Sequence, residues 1–273
     1  MTLDEVNRRG LVLLGCGKMG SAMLAGWLGQ GLAPEAVWVL DPRPSPWVEG
    51  LAAKGLHLNA DLPAAPAIVL VAVKPQMMTE ALPRLKPLGG GGTLFVSIAA
   101  GTPIRFFESQ LGAATPVIRA MPNTPAAIAR GITALIGNAQ AGENDMALAE
   151  TLLSAVGETV RLDDEAQMDA VTAVSGSGPA YVFHLIETLA AAGVAEGLAP
   201  DLAMKLAKAT VAGAGALAMQ AEEDPAQLRV NVTSPGGTTA AALALLMDEA
   251  AGFPALLKHA VHAAAERGRE LGR

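Results

Sequence analysis

Residues 11–28 read LVLLGCGKMGSAMLAGWL. The apolar run Leu11 to Leu14 has the length of a buried strand, and Ser21 to Gln30 reads as a helix. Between them stands Gly15-Cys16-Gly17-Lys18-Met19-Gly20, a GxGxxG element in the order strand, tight turn, helix. In a dinucleotide-binding loop the first glycine makes the turn. The second lets a pyrophosphate approach the backbone, and the third lets helix and strand pack closely. Unpaired N–H groups and the helix dipole then favour phosphates at the helix start. Gly15, Gly17, Lys18, Met19 and Gly20 are therefore candidate cofactor-binding residues, the competing reading being a glycine turn in some other α/β fold. A second apolar run, Ala36 to Leu40, ends in Asp41. That is about 20 residues beyond the last glycine, where an acid would bind the adenosine ribose hydroxyls.

Outward from this stretch the pattern repeats. Apolar runs at Ala67 to Val73, Thr93 to Ile98, Thr115 to Ile118, Gly131 to Ile136 and Thr159 to Leu162 alternate with segments such as Met77 to Leu85 and Asn144 to Val156. Strands alternating with helices predict an α/β Rossmann domain with a doubly wound, mostly parallel sheet. After Asp163-Asp164 the strand pattern stops. Ala-rich helical stretches follow at Ala166 to Val174, Ala180 to Ala195, Pro200 to Ala221, Ala240 to Ala250 and Pro254 to Leu271. The expected division is 1–163 for dinucleotide binding and 164–273 for an all-α domain. So small a helical domain buries little by itself, and its apolar face is expected to pack on a second copy of the chain.

Composition narrows the class. A chain of 273 residues is long for one hydrophobic core and suits two domains. Its net charge of −7, without a cluster of Lys or Arg, speaks against nucleic acid. Cys16 is the only cysteine, so neither an internal disulfide nor a cysteine-based metal site is expected, and no metal is assigned. Residues 1–10 carry charges rather than the apolar core of a signal peptide, and no apolar run is expected to reach membrane-spanning length. The cytoplasm is the default compartment.

Ligands of open α/β sheets sit beyond the carboxyl ends of the strands, which directs attention to three loops. In Val73-Lys74-Pro75, Lys74 is placed to approach ribose or phosphate, or is a solvated lysine ahead of a helix-starting proline. Ala99-Ala100-Gly101 is small enough for a nicotinamide to lie flat, or is a plain turn. Met121-Pro122-Asn123-Thr124-Pro125 is stiffened by two prolines and offers the Asn123 amide to cofactor or substrate.

Two further runs lie in the helical part. Ser175-Gly176-Ser177-Gly178-Pro179 interrupts what would be one helix, at a cost of roughly 1 kcal/mol for each glycine and 3 for the proline. Such a break suits a close backbone approach to a ligand, or a simple helix junction. Ser234-Pro235-Gly236-Gly237-Thr238-Thr239 precedes another helical stretch. Its glycines leave N–H groups uncovered where a helix begins, which suits a carboxylate, and its hydroxyls reach a ligand or cap the helix. His184, between Phe183 and Leu185, is a rival proton donor, though a histidine in such a setting is more often structural.

Taken together, GCGKMG at 15–20, VAVKPQ at 71–76, SIAAGT at 97–102, RAMPNTP at 119–125, DAVTAVSGSGPAYVF at 169–183 and VTSPGGTT at 232–239 resemble pyrroline-5-carboxylate reductase. The similarity covers essentially the whole chain, and SGSGPAY with SPGGTT is its specific part. It implies reduction of 1-pyrroline-5-carboxylate to L-proline with NADPH or NADH. It also implies a helical dimerisation domain after the Rossmann domain, with dimers that often assemble further into a decamer. On this resemblance Ser234, Gly236, Gly237, Thr238 and Thr239 line the substrate pocket, with Thr239 as hydrogen-bond donor to the ring nitrogen. Gly15, Gly17, Lys18, Met19, Gly20, Asp41, Arg43, Val73, Lys74, Pro75, Ala100, Asn123 and Asn231 face the cofactor.

Coenzyme choice stays open at this level. The Asp41 carboxylate favours ribose hydroxyls, whereas Arg43 could clamp a 2′-phosphate; family resemblance favours NADPH. Two other functions fit the same build. A hydroxyacid dehydrogenase needs a base, commonly a lysine on the helix after the Rossmann domain, and residues 165–195 contain no lysine. A non-catalytic NADP sensor would have no need of the hydroxyl-rich SPGGTT loop.

Overall fold

The computed structural model describes residues 3–272. An N-terminal helix, α1 (Leu3–Arg9), leads into an eight-stranded sheet. Its strands are β1 (Leu11–Leu14), β2 (Val37–Leu40), β3 (His57–Leu58), β4 (Ile68–Val71), β5 (Leu94–Ser97), β6 (Val117–Met121), β7 (Gly131–Gly137) and β8 (Gly157–Arg161). Their spatial order, β3-β2-β1-β4-β5-β6-β7-β8, reverses direction between β1 and β4. That crevice is where an open α/β sheet takes its ligand.

The crossovers are α2 (Lys18–Gly29), α3 (Pro46–Ala52), the short α4 (Met78–Ala81) continued as a 3-10 turn to Leu88, α5 (Ile104–Leu111) and α6 (Glu143–Leu153). Alternation along the strands sorts the core into two layers. Leu11 and Leu13 pack with Met23, Leu24, Trp27, Leu148 and Leu152 on one face of the sheet. Val12 and Leu14 pack with Val69, Val71, Met78, Phe95 and Phe107 on the other. Burial on both faces explains why these strands read as unbroken apolar runs. The Trp27 indole N–H donates to the Leu152 carbonyl at 2.7 Å, pinning α2 to α6.

The sheet departs from the expected pattern at two places. β7 pairs antiparallel with β6, and β8 then follows β7 in parallel. The link 122–130 is shorter than the dozen or so residues that a parallel crossover requires, so the chain turns straight back. β3 has no counterpart among the apolar runs because only two residues pair with β2. Trp38 stacks on His57 there, ring centroids 4.2 Å apart.

The chain divides into two compact units. The first runs to Gly176 and takes in the C-terminal end of the chain from Ala265; the second is Ser177–Ala264. The first includes α7 (Met168–Val171) and a π-helical turn, Thr172–Gly176. In the second, α8 (Gly178–Ala195) packs on α9 (Pro200–Gln220) around buried Ala190, Ala203 and Ala207. A Cβ added at Gly193 would lie 3.4 Å from that of Ala203, so small side chains set the spacing. α10 (Pro225–Asn231) and α11 (Thr238–Leu246) follow, and α12 (Phe253–Leu271) closes the chain.

Three helical expectations need amending. α10 is additional: Asp224 caps it by accepting the Gln227 N–H at 2.8 Å, with Pro225 at its first position. α11 stops at Leu246 rather than running to Ala250, because the Asp248 carboxylate accepts the N–H groups of Ala250 and Ala251 at 2.9 and 2.7 Å and forms a turn. α9 has 21 residues, and an 18-residue stretch of it reaches a mean hydropathy of 1.3, long and apolar enough to cross a membrane by length and composition alone. Lys205 and Lys208 lie within it, so it fits a helix that packs on protein equally well.

Candidate active site

The GCGKMG loop assigns each glycine a separate task. Gly15 sits at φ +88°, a conformation that L side chains avoid, and its N–H donates to the Leu40 carbonyl at 2.8 Å. A Cβ there would press on Val73, at 2.9 Å, so Val73 supports the loop from below. A Cβ at Gly20 would stand 2.6 Å from the Gly15 carbonyl oxygen; only glycine lets helix and turn meet. At Gly17 an added Cβ meets nothing within 4 Å, and this open face lies at the start of α2, where no side chain caps the free N–H groups. Lys18 is exposed and Met19 half-buried beside it. An open glycine face over an uncapped helix start fits a pyrophosphate.

The loop is held by two side chains. Cys16 N–H donates to Asp41 Oδ2 at 2.8 Å, and the Ser21 hydroxyl donates to the Cys16 carbonyl at 2.9 Å. Asp41 Oδ1 accepts the Arg43 N–H at 2.8 Å. Asn59, itself at φ +52°, brackets the Asp41 backbone by accepting its N–H and donating to its carbonyl. Burial pushes the Cys16 thiol above its ordinary pKa, with the Asp41 charge adding to the effect and the Ser21 hydrogen bond opposing it. The thiol stays neutral and unreactive at neutral pH.

Beyond β4, β5 and β6 lie the other candidate loops of this unit. Lys74 is exposed ahead of a 3-10 turn, Pro75–Met77. Ala100 is exposed beside Gly101, which takes φ +70°. The Asn123 side-chain oxygen accepts the Ile132 N–H at 3.0 Å, so it ties the β6–β7 link together and leaves its NH₂ group for a ligand. An ion pair stands behind these loops. Arg119, on β6 and 5% exposed, donates to Glu165 Oε1 at 2.9 Å, and the same oxygen accepts the first N–H of α5 at 2.9 Å. One carboxylate thereby joins the ends of the loops at 98–103 and 121–125, balancing a buried cation and the positive end of a helix. The Arg119 Nε and the Ser175 hydroxyl are buried without a partner among the described residues. The SGSGP run is a helix junction: the π-helical turn passes directly into α8, whose second residue is Pro179.

The SPGGTT loop belongs to the second unit and is largely exposed there. Gly236 takes φ +69° with open space at its Cβ position, and the Gly237 N–H donates to the Ser234 carbonyl at 3.0 Å. Gly237 begins α11 with no side-chain cap, so the amides of Thr238 and Thr239 lack intrahelical partners. Ser234 and Thr238 are exposed and Thr239 is half-buried. Thr233, one residue ahead, donates to the Arg229 carbonyl at 2.6 Å and anchors the loop to α10. Asn231, at the end of α10, accepts from Gln227 at 2.8 Å. His184 lies on the surface of α8, 3.2 Å from Glu187.

Ser21, Arg119, Glu165 and Asn59 were not among the candidates read from the sequence. For Arg119 a signal exists: a lone charge inside the apolar run of β6 needs a buried partner. Asn59 and Glu165 carry no local signal, since each acts on a residue distant in sequence.

Comparison with known proteins identifies the family. Residues 165–271 match the family model described as pyrroline-5-carboxylate reductase dimerisation, and residues 10–101 match the one described as NADP oxidoreductase, coenzyme F420-dependent. The pyrroline-5-carboxylate reductase of Pseudomonas aeruginosa is 41% identical, with 96% of each chain covered. That of Methanosarcina acetivorans is 38% identical over 95% of this chain and 97% of its own. Among solved structures, the Coxiella burnetii pyrroline-5-carboxylate reductase superposes with a TM-score of 0.88 at 33% identity, covering 97% and 99% of the two chains. The Plasmodium falciparum enzyme, solved with NADP bound, gives 0.83 at 29% identity over 98% and 99%. The chain belongs to the pyrroline-5-carboxylate reductases, which use NADPH to reduce the imine of 1-pyrroline-5-carboxylate to L-proline in the last step of proline biosynthesis.

Proposed function

We propose a division of labour for that reaction in which residues 1–163 hold NADPH and residues 164–273 hold the imine and pair the subunits. Gly15, Gly17, Lys18, Met19 and Gly20 would take the pyrophosphate. Asp41 and Arg43 would take the adenosine ribose, and Val73, Lys74, Pro75, Ala100, Asn123 and Asn231 would flank the rest of the coenzyme. When bound, NADPH supplies a hydride to the imine carbon. The protein's part is to orient and to stabilise. The amides at Gly236 to Thr239 receive the substrate carboxylate, and Ser234 and Thr238 line the same pocket. The Thr239 hydroxyl donates a hydrogen bond to the ring nitrogen, which ends the reaction protonated. A ring imine protonates near neutral pH in water, so no strong acid is required.

The observation that carries this reading is the uncapped start of α11 behind an open Gly236. A carboxylate there satisfies N–H groups that the protein leaves bare. Thr239→Val tests it in steady-state kinetics with NADPH and 1-pyrroline-5-carboxylate. A fall of about 10- to 100-fold in kcat at unchanged KM for NADPH is expected, because removing the donor leaves the enclosed ring nitrogen without its hydrogen-bond partner. Unchanged kcat would remove Thr239 from the mechanism.

The assembly proposed is a homodimer through the helical domain, in the cytoplasm. Phe183, Leu202, Leu206, Leu217 and Leu245 are exposed on the second unit, an apolar surface suited to a second copy. Dimers would assemble further into a decamer, as the family resemblance implies. Sedimentation velocity separates the states: a monomer at micromolar concentration would overturn the assembly, and a dimer alone would remove only the decamer.

A further inference from the structure

The loop at 98–103 is pinned at its two ends and bare in its middle. The Ile98 N–H donates to the Val71 carbonyl at 3.0 Å, and at the far end the Ile104 N–H donates to Glu165 Oε1 at 2.9 Å. Between them Ala100 and Gly101 make no hydrogen bond among the described residues; Ala100 is exposed, and Gly101 takes φ +70°. A glycine in that conformation, after two alanines, has no side chain with which to hold the turn. What it meets instead is the last turn of α12, which belongs to the same compact unit. The three atoms nearest to a Cβ built at Gly101 are all from Leu271: its Cβ at 3.2 Å, its carbonyl carbon at 3.5 Å and its carbonyl oxygen at 3.6 Å. A Cβ built at Gly272 stands 3.2 Å from the Gly101 carbonyl oxygen. The helix turn is itself held. The Arg105 guanidinium, on α5, donates to the Gly272 carbonyl at 3.2 Å, and Gly268 lies so close to Asp169 of α7 that an added Cβ would meet Oδ1 at 3.0 Å. Beside this contact the protein is open, with a groove of about 470 Å³ lined by Pro75, Met78, Thr79, Thr102, Phe106 and Leu271. The last turn of α12 is therefore what Gly101 rests on.

We propose that Leu271 and Gly272 are positioning residues for the coenzyme: their contact with Gly101 fixes the loop at 98–103, whose Ala100 takes the nicotinamide half. They act through that loop and touch no reacting atom. A loop already in place need not be ordered when the ligand arrives, so the contact contributes to affinity by preorganisation. This rests on the reading of Ala100 as a coenzyme-facing residue and adds the element that holds it.

Three variants of the full chain test it. Leu271→Gly removes the Cβ that faces Gly101, and Gly272→Val drives a branched side chain against the Gly101 carbonyl. Leu271→Ala keeps that Cβ and serves as the conservative control. Leu271 is 57% exposed and Gly272 half-buried, so none of the three opens the core. Amide hydrogen exchange is measured without nucleotide, and Kd by calorimetry for NADPH and for adenosine 2′,5′-bisphosphate, which lacks the nicotinamide half. Leu271→Gly and Gly272→Val should speed exchange at 98–102 by about tenfold and leave 15–20 unchanged. They should weaken NADPH by about three- to tenfold while the bisphosphate binds as before. Leu271→Ala should match the wild type in all three measurements. Unchanged exchange at 98–102 in both disruptive variants overturns the proposal. NADPH and the bisphosphate weakened equally overturns it too, since the damage would not be confined to the nicotinamide half. Faster exchange with NADPH affinity intact strikes the reading of Ala100 as a coenzyme residue, and this proposal with it.

Discussion

The glycine loops at 15–20 and 234–239 use the same device in opposite settings. Each puts a glycine at positive φ, Gly15 at +88° and Gly236 at +69°, and each opens a helix that no side chain caps. The first is built into a sheet: Leu40, Asp41, Val73 and Ser21 all hold it. The second hangs on one helix through Thr233 and is largely exposed, with Gly237 and Thr239 half-buried. The difference separates what a helix start needs in order to bind an anion, which is bare N–H groups, from what fixes it in place, which is packing. A loop locked by its own sheet is finished as the domain folds.

The sharpest way to break this contrast is a pair of alanine substitutions. Gly20→Ala sets a Cβ against the Gly15 carbonyl at 2.6 Å, backbone against backbone, and the expected outcome is loss of soluble, folded protein. Gly236→Ala meets nothing within 4 Å and costs only the left-handed backbone, about 1–2 kcal/mol, with a raised KM for the imine. Circular dichroism melts of both, with kinetics of the second, check this; equal stability losses would show that the two loops are supported alike.

Gly17→Ala comes next. Its Cβ enters open space, so the melting temperature should hold while Kd for NADPH rises by about 10- to 100-fold, the added methyl standing where the pyrophosphate approaches. A fall in stability with unchanged affinity would mean that the open face is not the coenzyme's.

Glu165→Gln probes the support behind the coenzyme loops. It leaves a hydrogen-bond acceptor for α5 but faces the buried Arg119 with a neutral amide, at a cost of about 1.5–3 kcal/mol in urea unfolding. Wild-type stability in the variant would show that Arg119 finds another partner.

The smallest effect lies on the surface. Arg161 hydrogen-bonds Glu143 and Glu150 and holds both carboxyls below their ordinary pKa. A carboxyl depressed by folding contributes stability that is fully present above its unfolded pKa and is lost as pH falls through the folded one. Arg161→Met should therefore lower stability slightly at neutral pH, with the loss shrinking to nothing as pH falls below about 4.5, so that the acid side of the stability profile flattens. A pH-independent loss would point to packing of the arginine stem instead.

Much of this protein is legible in local sequence. The GxGxxG turn, seven of the strands and the long helices α8, α9 and α12 follow from periodicity and glycine placement, because each depends on residues within a few positions of one another. The reversal of β7 is implicit in the length of one link, 122–130, once it is known that β6 and β7 pair. α10 has a local signal too, in Asp224-Pro225, but only a weak apolar stripe. The candidate anion loops were visible for the same reason: backbone amides are left bare by local chemistry.

Tertiary structure decided the rest. That Asn59 clasps Asp41, that Glu165 serves both Arg119 and α5, and that a Cβ fits at Gly17 but not at Gly20 depend on chain segments brought together by the sheet. Local propensity acts over a turn or two, whereas a carboxylate set against a buried cation, or a carboxylate pinned in a turn, is fixed by partners tens of residues away. Sequence alone named the two candidate anion-binding turns and the two-part build; the packed fold determined which of those turns is held by a sheet and where the Asp41 charge is pinned.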